Sequence, residues 1–290
     1  MTAPERCVTF RCGGDEVVGV LHLPDRWSGG EAGFLIVVGG PQYRVGSHRQ
    51  FVLMARMLAS AGYPVFRFDY RGMGDSTGTP RCFEDIHSDI DSALGAFQSA
   101  VPAVRRIVLF GLCDSASAAL MYGSTDSRVS QLVLANPWVR TEVGEARALV
   151  KHYYRTRLMQ RSFWRKLLTG DVKLVGAMQS LGTLLSRARF DAQSIGTRVD
   201  YIDRMAEGLS NFRGRILILI SGRDLTAKQF EDLCAESPRW RTLTSRPSVT
   251  WVRISNADHT FSNSVDLVRA LQACLAWISP LSEGSFTGRL

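Results

Sequence analysis

Three side chains suited to nucleophilic catalysis stand far apart in the 290-residue sequence: Cys113, Asp224 and His259. Each follows an apolar run of strand length, so each is expected in a loop at the end of a strand. An unperturbed cysteine has a pKa of about 8.5 and needs a base to become a nucleophile at neutral pH. A histidine can take that proton, and an aspartate can fix the tautomer of the histidine. The three residues therefore predict a Cys-His-Asp catalytic triad.

The residues around Cys113 predict a tight turn between a strand and a helix. Apolar strand formers at 107–110 lead into Gly111, and small residues at 115–119 follow the cysteine. Such a turn projects its central side chain out of the sheet, and small neighbours prevent clashes. Two other interpretations stay open. In the first interpretation, Cys113 is only a small buried apolar residue. Ser115 or Ser117 is the nucleophile in the second, although both serines turn into the helix.

The elements that must position these side chains alternate along the chain. Apolar runs predict strands at 6–12, 16–23, 34–38, 64–68, 107–110, 131–135, 215–220 and 249–254. Helical patterns are found at 51–61, 84–100, 226–235 and 262–278, and directly after Cys113. The first two strands form an antiparallel hairpin. The alternation predicts an α/β fold with a mostly parallel twisted sheet and helices on both faces, and ligands bind at the carboxyl ends of such strands.

The sequence resembles the α/β-hydrolase superfamily over its whole length. The string GLCDSASAAL is a variant of the G-x-S-x-G nucleophile elbow, with Cys113 for the serine and Ser115 for the last glycine. The order nucleophile, acid, base is also that of the superfamily. Within it, VVGGPQYRVGSHRQF and FRFDYRGMGDSTG are most similar to the cap-bearing hydrolases that accompany the exosortase A system of exopolysaccharide-producing bacteria. The resemblance implies the α/β-hydrolase fold with an inserted helical cap.

The resemblance also implies an oxyanion hole built from backbone N–H groups. The usual His-Gly pair after the third strand is replaced here by Gly39-Gly40-Pro41-Gln42, and proline has no N–H. If residues 40–42 take the H-G-x place, Gln42 supplies one donor and Asp114 supplies the other. The alternative is a tight loop with an incomplete hole. The DYRGMG string at 69–74 is expected to be structural, with its Asp and Arg holding the loop.

Residues 140–213 interrupt the alternation with helical, basic sequence. We therefore predict a core of residues 1–139 and 214–290 and a helical cap of residues 140–213. This segment holds fourteen Lys and Arg against seven Asp and Glu. We expect its apolar side chains to cover the active site and its basic face to be solvated, and weak association with an anionic membrane surface is the alternative. The predicted substrate-binding residues are Tyr43, Arg44, Phe163, Leu167 and Leu184.

Composition restricts the class of protein further. With 45% hydrophobic and 21% charged residues, the chain has the composition of an ordinary soluble protein. No apolar run is long enough to span a membrane, and the N-terminus lacks the apolar stretch of a signal peptide, so we expect a cytoplasmic protein. The net charge of +8 comes with no nucleic-acid motif. The six cysteines lack metal-ligand spacing, so reduced thiols and no metal or other cofactor are expected.

These observations predict an acyl hydrolase that forms a covalent acyl-enzyme on Cys113. A thiolate is both a good nucleophile and a good leaving group, so activated esters, thioesters and lactones are favoured over peptides. Dienelactone hydrolases, the members of the superfamily that use cysteine, cleave an activated lactone. An acyltransferase with the same triad and a non-catalytic ligand-binding homologue remain the alternatives. The acyl group, its acceptor and the oligomeric state stay open.

Overall fold

The computed structural model describes residues 4–28, 30–40, 42–139 and 200–278. Its strands are β1 Glu5–Cys12, β2 Asp15–His22, β3 Ala32–Val37, β4 Val65–Phe68, β5 Arg106–Leu112, β6 Val129–Ala135, β7 Arg215–Ser221 and β8 Val249–Ile254. They form one sheet in the order β1-β2-β4-β3-β5-β6-β7-β8. The β1–β2 and β2–β4 pairs are antiparallel, and every other neighbouring pair is parallel. The predicted hairpin and the mostly parallel sheet are confirmed.

Seven α-helices accompany the sheet within the described residues. They are α1 Gln50–Ser60, α2 His87–Ala100, α3 Asp114–Gly123, α4 Asp200–Asn211, α5 Leu225–Glu236, α6 Pro238–Thr244 and α7 Ser264–Ile278. The helix predicted at 84–100 is divided into a short 3₁₀ turn, Phe83–Asp85, and α2. The sequence pattern missed α6, which is only two turns long. Its Ser237 side chain accepts the Trp240 N–H, and Pro238 occupies the first turn, as is common at helix starts.

Side chains of the central strands alternate between two buried layers. On one face, residues such as Phe34, Ile36 and Phe110 belong to the same apolar cluster as residues of α1 and α7. On the other face, a Cβ on Gly33 of β3 would meet the Phe97 ring of α2. Strands covered on both faces need apolar side chains in every position. This explains why β3 and β7 have uninterrupted apolar runs.

A buried polar pair lies in the antiparallel part of the sheet. Arg67 of β4 donates from Nε to His22 Nε2 of β2 at 2.9 Å, and both residues are buried. The same guanidinium donates from Nη1 to the Arg44 carbonyl at 3.0 Å. Burial and the neighbouring Arg67 charge lower the pKa of His22 to about 4. His22 is therefore a neutral hydrogen-bond acceptor at physiological pH.

The chain divides into two compact units, residues 1–139 with 204–290 and residues 140–203. Of the second unit, only residues 200–203 are described. Residues 204–213, which the sequence pattern assigns to the cap, belong to the first unit. There Arg204 of α4 donates from Nη1 to Glu84 Oε2 at 3.3 Å and from Nη2 to the Glu84 carbonyl at 3.1 Å. The predicted cap otherwise lies outside the described residues and stays a prediction.

No helix in the described ranges combines the length and the apolar composition that crossing a bilayer requires.

Candidate active site

Cys113 occupies the turn between β5 and α3 with a backbone that few residues adopt. Its φ of 65° and ψ of −125° are in a strained region for a residue with a Cβ, at a cost of about 1–3 kcal/mol. Two of its backbone bonds join it to the segment at the end of β6: its N–H donates to the Ala135 carbonyl at 2.9 Å, and its carbonyl accepts the Trp138 N–H at 3.1 Å. A Cβ on Gly111 would come within 2.4 Å of the Ser115 carbonyl, so the turn needs glycine there. The predicted elbow is formed.

The two serines that follow the elbow are fully buried and hydrogen-bonded to the backbone. Ser115 Oγ donates to the Leu112 carbonyl at 2.8 Å and accepts the Leu112 N–H at 2.9 Å. Ser117 Oγ donates to the Trp138 carbonyl at 2.7 Å. These contacts use the hydroxyl groups to hold the turn. They favour Cys113 over either serine as the nucleophile.

His259 and Asp224 meet in a short hydrogen bond. The distance between His259 Nδ1 and Asp224 Oδ2 is 2.7 Å. Asp224 is also the N-cap of α5, because its carboxylate accepts the N–H groups of Thr226 and Ala227, each at 3.1 Å. These bonds fix the carboxylate in the orientation that holds His259. Asp224 lies after β7 and His259 after β8, as the sequence pattern predicts.

The Cys113 thiol interacts electrostatically with the His259 ring. Hydrogen bonds to Asp224 and then to Cys113 raise the pKa of His259 to about 10. The cause is the negative charge that both partners can carry, which favours the protonated ring over the cost of its burial. Because Nδ1 faces Asp224, Nε2 is the nitrogen left to exchange a proton with Sγ. The structure thus brings Cys113, His259 and Asp224 together in the order that the sequence analysis predicts.

The carboxylate of Asp114 turns toward the loop that follows β3. Its Oδ2 accepts the Gly40 N–H at 2.9 Å, whereas Oδ1 is buried without a hydrogen-bond partner in the described residues. A Cβ on Gly39 would come within 2.2 Å of Oδ1, so this close approach requires glycine. Burial raises the pKa of Asp114, and the Gly40 N–H offsets part of that rise. The sequence analysis considered only the backbone of Asp114 and missed this contact.

The proposed oxyanion donors, Gln42 and Asp114, flank the elbow. The Asp114 N–H is the first of α3 and comes directly after the nucleophile. The side-chain Oε1 of Gln42 accepts Gln50 Nε2 at 3.2 Å, which ties the loop after β3 to α1. Pro41 lies outside the described residues. The N–H of Gly40 is already bonded to Asp114, and the oxyanion role of Gln42 and Asp114 stays a prediction.

The predicted substrate-binding residues have different surroundings. Tyr43 has an exposed fraction of 45%. The guanidinium of Arg44 contacts the buried Asp69 and, at 2.5 Å, Asp75. Because these carboxylates already neutralise Arg44, recognition of an anionic group by this side chain stays a prediction. Phe163, Leu167 and Leu184 lie outside the described residues.

The DYRGMG loop has the contacts of a structural element. Arg71 donates from Nε and Nη2 to the two carboxylate oxygens of Asp89, each at 2.9 Å, and its N–H also donates to Oδ1. Gly72 and Gly74 have positive φ values of 75° and 54°. These contacts agree with the structural role predicted for the string, and they link it to α2.

Two further residues contact the triad-bearing loops and were not predicted. Asn136, directly after β6, donates from Nδ2 to the His259 carbonyl at 2.9 Å. His48 Nε2 lies 3.0 Å from Thr260 Oγ1, next to His259. An Asn-Pro pair at a strand end was the only local signal for Asn136, and it indicates a turn rather than a role. The described ranges contain no cluster of His, Cys, Asp or Glu that could hold a metal ion.

The elbow, the order of the three residues and the sheet topology define an α/β hydrolase. The sequence model of the "Alpha/beta hydrolase family" matches residues 34–271, so the chain belongs to this family. The predictions of the superfamily, of its fold and of a hydrolase are confirmed. The narrower resemblance to the exosortase-associated hydrolases stays a prediction. No curated protein matches the sequence.

Solved structures with the same fold include several hydrolases. The Pyrococcus furiosus esterase Pf2001 is 14% identical over 95% of this chain and 92% of its own, with a TM-score of 0.62. The Mycobacterium smegmatis proline iminopeptidase is 15% identical over 94% and 97% of the two chains, with a TM-score of 0.61. Est1E of Butyrivibrio proteoclasticus, with ferulic acid bound, is 15% identical over 94% and 100%, with a TM-score of 0.59. At these identities the likeness establishes the fold alone.

Proposed function

We propose that this protein is an acyl hydrolase that cleaves an ester, thioester or lactone through a covalent acyl-enzyme on Cys113. The observation that carries the proposal is the convergence of the 2.7 Å bond between His259 Nδ1 and Asp224 with the interaction of His259 and Cys113 at the strained elbow. A nucleophile, a base and an orienting acid in this order are the minimum set for acyl transfer. The strained elbow supports the proposal because strain of this kind persists where a reactive side chain must be exposed to substrate.

Acylation begins from the ion pair in which His259 holds the proton and Cys113 Sγ is a thiolate, a state that the raised pKa of His259 favours. The thiolate then adds to the acyl carbonyl carbon, and the carbonyl π electrons move to oxygen to give a tetrahedral oxyanion. The N–H groups of Gln42 and Asp114 are the donors proposed for this oxyanion. When the oxyanion collapses, the bond to the leaving oxygen or sulfur breaks, and His259 returns its proton to that atom. Asp224 stabilises the imidazolium throughout.

Deacylation repeats the sequence with water. His259 removes a proton from a water molecule, the resulting hydroxide adds to the acyl-thioester carbon, and the carbon–sulfur bond breaks. The electron pair returns to Cys113 as a thiolate, His259 keeps the proton, and a carboxylic acid leaves. In total one ester or thioester and one water become an acid and an alcohol or thiol, and a lactone and one water become a single hydroxy acid. No cofactor takes part in this sequence.

The thiol nucleophile restricts the substrate class. When the tetrahedral intermediate of an amide collapses, the Cys113 thiolate leaves more readily than the amine, so the intermediate mostly returns to substrate. An ester, thioester or lactone offers a leaving group that competes with the thiolate. This chemistry favours activated acyl groups over peptides, even though the solved structures of similar fold include peptidases.

Two narrower parts of the proposal rest on the sequence alone. Apolar side chains of the predicted cap, among them Phe163, Leu167 and Leu184, would bind the acyl chain, with Tyr43 and Arg44 at the other side of the site. The resemblance to exosortase-associated hydrolases supports a proposed role in exopolysaccharide metabolism. Replacing Leu167 with Gln should then reduce cleavage of long-chain esters more than cleavage of acetyl esters. Equal losses on both would contradict an acyl-binding cap.

The test of the proposed function uses the full chain with p-nitrophenyl esters, acyl-N-acetylcysteamine thioesters and simple lactones. We expect turnover of at least one class, a mass increase of one acyl group on Cys113 in rapidly quenched samples, and no turnover by Cys113→Ala. The matched control is Cys82→Ala, because Cys82 is an exposed free thiol and should leave the rate unchanged.

Three results would contradict the proposal, each in favour of a different function or nucleophile. An acyl-enzyme that transfers its group to added alcohols or amines faster than to water would make the protein an acyltransferase. Full activity of Cys113→Ala would exclude the thiol as nucleophile and would favour Ser115 or Ser117 in that role. Binding of acyl compounds with neither turnover nor acylation would indicate a non-catalytic ligand-binding homologue.

A further inference from the structure

Asn136, the residue after β6, is buried and has an unusual backbone. Its side chain is fully enclosed, and its φ is 45°. Positive φ is rare for residues with a Cβ, and asparagine is among the few that tolerate it. Its N–H donates to the Leu219 carbonyl of β7 at 2.9 Å. A buried polar residue in a strained backbone normally has a specific set of partners.

The partners of the Asn136 side chain belong to the loops of the acid and the base. Its Oδ1 accepts the Ser221 N–H at 2.8 Å, and its Nδ2 donates to Ser221 Oγ and to the His259 carbonyl, each at 2.9 Å. Ser221 ends β7, and its carbonyl accepts the Asp224 N–H at 3.3 Å. One amide group therefore connects the turn that presents Asp224 with the main chain of His259.

The backbone on either side of Asn136 holds the nucleophile. The Ala135 carbonyl accepts the Cys113 N–H at 2.9 Å, and the Trp138 N–H donates to the Cys113 carbonyl at 3.1 Å. Residues 135–138 thus bond to the main chain of Cys113 and of His259 directly, and they reach Asp224 only through Ser221. Small shifts of such loops matter, because proton transfer needs about 2.6–3.2 Å between heavy atoms.

We infer that Asn136 is a positioning residue that sets the distance between His259 and its two triad partners. The inference rests on the proposed function for its catalytic meaning, although the geometry itself is measurable without a substrate. Among side-chain groups of this size, only the asparagine amide has two hydrogen-bond donors and an acceptor in one plane. Aspartate has the same shape but no donor when ionised, so it would leave the Ser221 hydroxyl and the His259 carbonyl without a hydrogen-bond donor.

The experiment compares Asn136→Gly and Asn136→Asp with the wild type. Glycine tolerates the positive φ and removes only the side chain, and aspartate keeps the shape while removing the donors. The control is Asn211→Gly, the same change at an exposed asparagine at the end of α4. Circular dichroism and thermal melting establish that each variant is folded under the conditions used.

Two readouts distinguish positioning from a purely structural role. The first is the NMR resonance of the His259 Nδ1 proton, which lies far downfield when the proton is held against Asp224. The second is the pH profile of Cys113 alkylation by iodoacetamide, followed by mass spectrometry. The charged and titratable groups around His259 are Asp224, Cys113 and Asp114, so the profile reports on this cluster.

In the folded variants at Asn136 we expect the downfield resonance to be lost and the alkylation rate at pH 7 to fall about tenfold or more. Asn211→Gly should behave as the wild type. A folded Asn136→Gly or Asn136→Asp with the wild-type resonance and wild-type alkylation would overturn the inference. If wild-type Cys113 proves unreactive at pH 7, the proposed nucleophile fails, and the resonance alone then decides whether Asn136 positions His259.

Discussion

The Asp114 carboxylate accepts the Gly40 N–H at 2.9 Å, and this bond connects the nucleophile elbow with the loop after β3. The two residues are 74 positions apart in the chain. In the proposed mechanism this buried acidic group would lie beside the oxyanion. Its charge would oppose the oxyanion, while its hydrogen bond to Gly40 holds the loop of the proposed donor Gln42.

Replacing Asp114 separates these two effects. Asparagine keeps an acceptor for the Gly40 N–H and removes the charge, so we expect Asp114→Asn to retain or raise kcat. Asp114→Ala loses the bond and should lower kcat roughly tenfold, because the loop is less well held. Steady-state rates on the best ester or thioester measure both. A large loss in Asp114→Asn with little loss in Asp114→Ala would show that the charge itself is needed.

The same substitution has a pH-dependent effect on stability. Burial raises the pKa of Asp114, so the folded state binds its proton more tightly than the unfolded chain does. The charged form therefore destabilises the fold above the raised pKa, and this cost disappears as the pH falls below the ordinary carboxyl value of about 3.9. Asp114→Asn should melt at a higher temperature than wild type at pH 7, with the difference shrinking toward pH 4. A wild type that is more stable at both pH values would contradict this.

Asp224 has two roles, and different substitutions can separate them. It holds His259 Nδ1 at 2.7 Å and caps α5 through two backbone N–H groups. Asparagine is an equally good N-cap, but it cannot stabilise the imidazolium. We expect Asp224→Asn to lower kcat by about 10³- to 10⁴-fold and to lose, at pH 7, the part of the stability that Asp224 contributes by raising the pKa of His259. Asp224→Ala should lose the same activity and about 1 kcal/mol more stability, because it also removes the N-cap.

Urea unfolding and steady-state kinetics of both Asp224 variants check this prediction. Equal stabilities for the two variants would mean that the cap contributes nothing. Near-normal activity in Asp224→Asn would remove Asp224 from the proposed triad.

The strained backbone of Cys113 predicts that the elbow lowers the stability of the fold. Cys113→Ala and Cys113→Gly both remove the sulfur, but only glycine adopts a φ of 65° without strain. We expect Cys113→Gly to be more stable than Cys113→Ala by about 1 kcal/mol, with neither able to form an acyl-enzyme. Comparing the two by chemical denaturation cancels the loss of sulfur packing. An alanine variant that equals or exceeds the glycine variant would show that the turn is unstrained.

His22 predicts a loss of stability in mild acid. Burial and the Arg67 charge lower its pKa to about 4, below the unfolded value of about 6.5. The unfolded chain therefore binds a proton in this range while the folded chain does not, and stability falls as the pH drops from about 6.5 to 4. The full loss is on the order of 3 kcal/mol. His259, whose pKa is raised, acts in the opposite sense: its contribution is present below pH 6.5 and is lost toward pH 10.

Urea titrations at pH 7 and pH 5 test the role of His22. His22→Gln keeps an acceptor for Arg67 Nε without a titrating ring, so its free energy of unfolding should fall less between the two pH values than that of wild type. Because His259 is present in both proteins, the difference isolates His22. Equal decreases would assign the acid sensitivity to other groups.

Much of the site was predictable because its determinants are local. The run at 215–220 is apolar in nearly every position since β7 is covered on both faces, and such a run predicts a buried strand. The elbow is equally local: Gly111, Cys113 and Ser115 lie within five residues, and the turn itself demands their sizes. Strand ends then place Cys113, Asp224 and His259 at one edge of the sheet, because the carboxyl ends of parallel strands share that edge.

The tertiary structure alone decided which side chains meet at that edge. Register pairs Leu112 with Ala135 and Ala135 with Leu219, and this brings the ends of β5, β6 and β7 side by side. Only then does the Asn136 amide reach Ser221 and His259, 85 and 123 residues further along the chain. Periodicity tells which face of a strand is buried but not which neighbour lies beside it. No local pattern could therefore predict these bonds.

Which charged side chains neutralise each other also depends on the tertiary structure. In the sequence, Arg44 is a cation close to the predicted site and is therefore a candidate for substrate binding. In the folded chain its guanidinium contacts Asp69 and Asp75, and the Asp114 carboxylate turns inward to Gly40. Residue type determines which charge is available. Which charges neutralise each other depends on distances of a few ångströms, because the Coulomb energy and the cost of burial both change steeply over that range.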